Sequence, residues 1–66
     1  MDFESHRITT KAGRFRALVF SLTHSFVVRE SLGDYAARVT TFYSMEELET
    51  WVRKRGWQIK RVRHFS

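Results

Sequence analysis

The chain is 66 residues long, with 42% hydrophobic residues, 15% aromatics, no Cys and a formal net charge of +5. That length allows one domain, which buries only about 60% of its unfolded surface, while the apolar content is enough for a core and excludes a disordered chain. The missing Cys excludes a disulfide staple, and His6, His24 and His64 lie too far apart for the close ligand pairs of a zinc site, so neither metal nor cofactor is expected.

Residues 6–11, "HRITTK", are rich in β-branched side chains and read as a strand. Lys11 to Arg14 form a turn, and residues 15–22, "FRALVFSL", read as a second strand with apolar side chains on both faces, hence a central one. A turn at Thr23-His24-Ser25 leads into a third strand over residues 26–30, "FVVRE". Ser31-Leu32-Gly33-Asp34 has the Gly and Asp of a tight turn, and residues 35–42 read as a fourth strand.

Ser44-Met45-Glu46-Glu47 fits a capping box, with Ser at the N-cap and Glu three residues on. Acidic residues open the segment, Arg53-Lys54-Arg55 close it, and Gly56 stands where a helix-ending glycine belongs. Met45, Leu48, Val52 and Arg55 share one face with Trp51 beside them, which predicts a helix over 45–55 lying on a sheet. Trp57 to about Arg63 reads as a last strand whose alternation breaks near Lys60-Arg61, either through a bulge or through fraying.

The expected fold is a single two-layer α+β domain over 1–66, β-β-β-β-α-β in order, with a mostly antiparallel sheet and one helix on one face. Residues 1–5 and 64–66 are expected to be mobile termini. A helix of 11 residues is roughly 16 Å long and cannot cover both faces of five strands. The second face is therefore expected to meet something else, an identical chain or a different partner.

Residues 50–66 hold six of the twelve Lys and Arg side chains and no Asp or Glu. Such a localised field favours nucleic acid first, then an acidic protein surface, then an anionic membrane. The longest apolar run, Ala17 to Phe20, is too short to span a membrane, and Met1-Asp2-Phe3-Glu4 lacks the layout of a signal peptide, so a cytoplasmic location away from membranes is expected. No paired-carboxylate motif, phosphate loop or nucleophile motif is present, and the expectation is a binding protein, not an enzyme, with no small-molecule substrate.

The leading reading is a small basic accessory module that grips DNA or RNA phosphates through its C-terminal strand and the adjoining hairpin. Its candidate contacts are Arg14, Arg16, Arg55, Trp57, Lys60, Arg61, Arg63 and His64, cations interleaved with an aromatic that can stack on bases. Each also has a structural role to offer. Arg53 to Arg55 complement a helix C-terminus, Lys60, Arg61 and Arg63 protect an edge strand, and Trp51 and Trp57 suit the core. The alternative is a protein-interaction module (a small inhibitor or adaptor of phage or mobile-element type, or a homodimer) that uses Phe20, Phe26, Val28 and Tyr35 on an uncovered face or edge.

Overall fold

A computed structural model describes residues 3–62. Five strands, β1 (Phe3–Thr10), β2 (Phe15–Ser21), β3 (Phe26–Ser31), β4 (Ala37–Phe42) and β5 (Trp57–Arg61), and one helix, α1 (Met45–Lys54), follow the expected order. The strands form a single antiparallel sheet in the order β4-β3-β2-β1-β5, with β2 at its centre. β1 to β4 are a meander, so after β4 the chain stands at one edge while its last strand pairs at the other. The helix makes that crossing over one face.

Three boundaries differ from the sequence expectation by two residues or more. β1 begins at Phe3, not His6, because residues 3–5 are held on both sides: Glu4 pairs with Phe20, and the Val62 N–H donates to the Ser5 carbonyl at 2.9 Å. Only Met1 and Asp2 of the expected mobile start, and all of 64–66, lie outside the described residues. β4 begins at Ala37, since a Leu32 N–H to Ala36 carbonyl bond of 2.9 Å closes a longer loop. β5 ends at Arg61 and pairs with β1 in unbroken register from Thr10↔Trp57 to His6↔Arg61, so there is no bulge at Lys60-Arg61. The register shifts fall between β1 and β2 instead, where Ser5 and Arg16 are the extra residues.

The helix starts where capping chemistry places it, with Ser44 Oγ accepting the Glu47 N–H at 3.1 Å. It stops at Arg55, and Gly56 then takes φ +74°, a left-handed conformation that a side chain disfavours. Its buried face, Leu48 and Val52, packs on Ile8, Ala17, Val19 and Val28 of the sheet. Phe26, Phe42, Met45, Trp51, Trp57 and Ile59 seal the margins of this core. Each fully buried aliphatic side chain contributes roughly 1.5–3 kcal/mol.

Alternation assigns the remaining side chains. In β3, Phe26, Val28 and Glu30 face the helix while Val27 and Arg29 face away. The same phase turns Leu18, Phe20, Arg7, Thr9, Lys60 and Val39 to the far side, which no element of the described chain covers.

Leu48→Ala is expected to lose about 2–5 kcal/mol, because it leaves a cavity at the centre of the helix–sheet contact. Ser44→Ala is expected to lose about 1 kcal/mol and lower Tm by about 4–8 °C. Thermal and urea melts followed by circular dichroism check both, and equal losses would show that the cap and the core are not separable.

Candidate nucleic-acid interface

The basic residues divide between the two faces of the sheet, and they do different things on each. On the helix side the organising group is Glu30, a carboxylate only 4% exposed between Ala17 and Arg38. Its oxygens meet Arg55 at 3.6 Å and Arg38 at 3.9 Å, which is ion-pair but not hydrogen-bond distance. Oε2 has no hydrogen-bond donor among the described residues. The Arg55 guanidinium lies 4.2 Å from the centroid of the Trp51 ring and 5.3 Å from that of Trp57. Arg16 lies 4.8 Å from the Trp57 centroid. Trp51 meets Trp57 edge-on at 6.0 Å and Phe42 at 5.4 Å. The result is an alternating series, Arg16, Trp57, Arg55, Trp51, Phe42, in which each cation faces aromatic electron density.

The bulge explains how Arg16 joins this series. Ile8 pairs with Ala17 and Thr9 with Phe15, so Arg16 is the unpaired residue, and the extra residue re-aims its side chain toward Trp57.

Of the eight expected contacts, Arg16, Arg55 and Trp57 are therefore occupied within the fold. Arg14 sits exposed in the β1–β2 turn, where its N–H donates to Thr10 Oγ1 at 3.1 Å. Lys60 and Arg61 are both exposed, but as neighbours in β5 they point to opposite faces. Arg63 and His64 lie outside the described residues. The six that are described do not form one surface.

The expected protein-contact residues divide too. Phe20 is half-buried on the open face and Tyr35 is fully exposed in the β3–β4 loop. Val28 is completely buried beneath the helix and Phe26 packs against the core, so Val28 presents no surface and Phe26 little. The run "FVV" is apolar in both phases, and the strand uses the opposite phase from the one expected.

The open face holds what sequence reasoning missed. The registers place Lys60 opposite Arg7, Arg7 opposite Leu18, Leu18 opposite Arg29 and Arg29 opposite Val39, one row across all five strands. Three of its five members are cations. Arg7 donates to Glu4 at 2.7 Å, whereas neither Arg29 nor Lys60 has an ion pair among the described residues. Phe20 and Val27 flank the row on one side, Thr9 and Phe15 on the other. A shallow groove of about 270 Å³ runs beside Arg7, Thr9, Lys60 and Val62. A second of about 370 Å³ lies over Phe15, Leu18 and Arg29, bounded by the loop that bears Asp34 and Tyr35. A larger hollow of about 510 Å³ beside the helix is bordered by Glu46, Glu47 and Lys54, a mixed lining with more negative than positive charge.

Among the described residues no cluster of acidic or His side chains is placed to hold a metal ion, and no helix is long and apolar enough to cross a membrane. Comparison with protein families, curated proteins and solved structures returned no match.

Arg55→Ala is expected to lose about 1–2 kcal/mol, since it removes two partly exposed cation–π contacts and one of the two cations facing Glu30. Adding Glu30→Gln should lose less than the two single changes combined, as read from urea midpoints. A second expectation concerns His6, which lies 2.8 Å from Ser5 Oγ. Burial, and then the Arg61 charge, hold its pKa below the usual value, with Glu49 opposing weakly. The unfolded chain thus takes up this proton more readily, so the His6 contribution is complete above the unfolded value of about 6.5 and is lost as pH falls through the lower folded value. His6→Gln should flatten stability between neutral and mildly acid pH, and an unchanged slope would rule His6 out.

Proposed function

We propose that the protein binds single-stranded nucleic acid across the open face of its sheet. The supporting observation is the row Lys60, Arg7, Arg29, set between the aromatic side chains of Phe20 and Phe15. Like charges directly opposite one another in a sheet are destabilising, as Lys60 and Arg7 are here, and a bound polyanion relieves that repulsion. Adjacent strands lie about 4.8 Å apart, so the three cations span a path of roughly 15 Å. Phe15, exposed, and Phe20, half-buried, offer stacking surfaces to unpaired bases.

The shape favours a single strand over a duplex. A duplex is read by an element that enters a groove, and the one helix lies on the other side of the sheet. Its first turn is also acidic, with Glu46 and Glu47. A broad sheet face suits splayed bases better. In this reading the protein is a binding module and not an enzyme, and it acts in the cytoplasm. Contacts from the C-terminal strand are reduced to Lys60, joined by Arg7 and Arg29 from neighbouring strands.

A protein partner on the same face is the second reading, favoured by the exposure of Phe15 (49%) and Val39 (63%). Salt separates the two. With three phosphates engaged on a single strand, log affinity should fall against log salt with a slope of about −2. Arg29→Ala with Lys60→Ala should weaken binding of a labelled single-stranded oligonucleotide at least about tenfold and reduce that slope by about 1.4. Arg16→Ala should leave the slope unchanged. Absence of binding at low salt, or unchanged affinity in the double variant, would exclude this reading and leave the open face to a protein.

A further inference from the structure

The two edges of the sheet are protected very differently. A sheet edge exposes unpaired N–H and C=O groups, and proteins usually guard it with lysine, proline, a bulge or a covering segment. β5 carries exposed Lys60 and Arg61. β4, "ARVTTF", has no Lys and no Pro, and it pairs with β3 without a register shift from Phe26↔Phe42 to Ser31↔Ala37. Its single charge, Arg38, is directed at the buried Glu30. Four of its six residues are exposed, including Val39, and Tyr35 and Tyr43 bracket the strand at 103% and 74% exposure.

We propose that β4 is the seam of a homodimer, pairing antiparallel with β4 of a second copy to make one continuous ten-stranded sheet. Self-pairing is restricted by the pleat. Directly opposed residues must lie on the same face, and in β4 Ala37, Val39 and Thr41 face the open side while Arg38, Thr40 and Phe42 face the helix side. A two-fold axis perpendicular to the sheet must therefore pass through a residue, not between two. An axis at Arg38 sets two guanidinium groups opposite each other, which is destabilising. An axis at Val39 pairs Val39 with Val39, Arg38 with Thr40 and Ala37 with Thr41, a β-branched centre with no like charges opposed.

The second copy is the occupant for two further reasons. A 66-residue chain with six buried apolar side chains among its described residues has a small core and gains from association. Tyrosines such as Tyr35 and Tyr43 are also enriched at protein interfaces. The axis keeps both open faces on the same side, so the cationic rows of the two copies lie on one platform. Dimerisation stands independently of what that platform binds.

The absence of Cys gives a clean test. Directly opposed residues in antiparallel strands have Cα atoms about 4.5–5.5 Å apart, within the range a disulfide bridges. Val39→Cys should cross-link rapidly to a dimer under mild oxidation, whereas Thr41→Cys, about 13 Å from its own copy in this register, should not. The wild-type protein should show a concentration-dependent mass rising toward twice 7.9 kDa. Val39→Lys should remain folded by circular dichroism, since Val39 is largely exposed, and be monomeric. A wild-type monomer at every concentration, a dimer that survives Val39→Lys, or cross-linking at 41 as fast as at 39 would overturn the proposal.

Discussion

One helix has to close a five-stranded sheet, and most of the molecule follows from that constraint. The meander leaves the chain at the β4 edge, and β5 must reach β1 at the far edge. A crossing of ten helical residues, about 15 Å, spans the sheet once. It can bury only what lies beneath it, so the core is the single layer formed by Leu48 and Val52 against Ile8, Ala17, Val19 and Val28. The opposite face keeps apolar side chains that no element among the described residues covers, and β4 remains an open edge.

The same constraint sorts the cations. Those on the helix side stand where the helix ends over the sheet, beside two tryptophans and a buried carboxylate. Glu30 needs positive charge nearby, because a buried carboxylate is strongly disfavoured without it, and Arg55 and Arg38 provide it from opposite directions. The tryptophans hold Arg55 by its faces and restrict where its charge can point. Of the six cations that make the C-terminal third conspicuous, Arg55 is thus committed to internal structure. The cations on the open face are fewer, and two of them, Arg7 (paired with Glu4) and Arg29, come from the part of the chain whose charge balances to near neutrality.

This division accounts for what was legible in the sequence. The helix was readable because Ser44 caps an N–H three residues on and Gly56 ends the last turn directly after the C-cap Arg55, and capping is local chemistry. The central place of β2 was readable from its two apolar faces. The start of β1 was not, since it depends on the Val62 N–H reaching the Ser5 carbonyl from across the chain. Nor was the bulge at Arg16, a property of pairing between strands and not of either strand alone. Lys60 stood out by its neighbours in sequence, but Arg7 and Arg29 become its neighbours only through strand order, which composition does not encode. Val28 was misplaced because an apolar doublet leaves the phase of a strand undetermined.

Edge and face are linked in a way that the charges make specific. Arg38 is the one charge on β4, and β4 is the edge without guards. Were Arg38 turned outward along the seam, it would act as the gatekeeper the strand otherwise lacks. Its attraction to Glu30 draws it inward, and Glu30 is buried because the helix lies over that end of the sheet. The crossing that buries one face thereby draws the one charge of β4 toward that face, while about half of the Arg38 side chain stays exposed. Under the proposed pairing of two β4 edges, the arginine that faces Glu30 is also the residue that sets how weakly that edge is guarded.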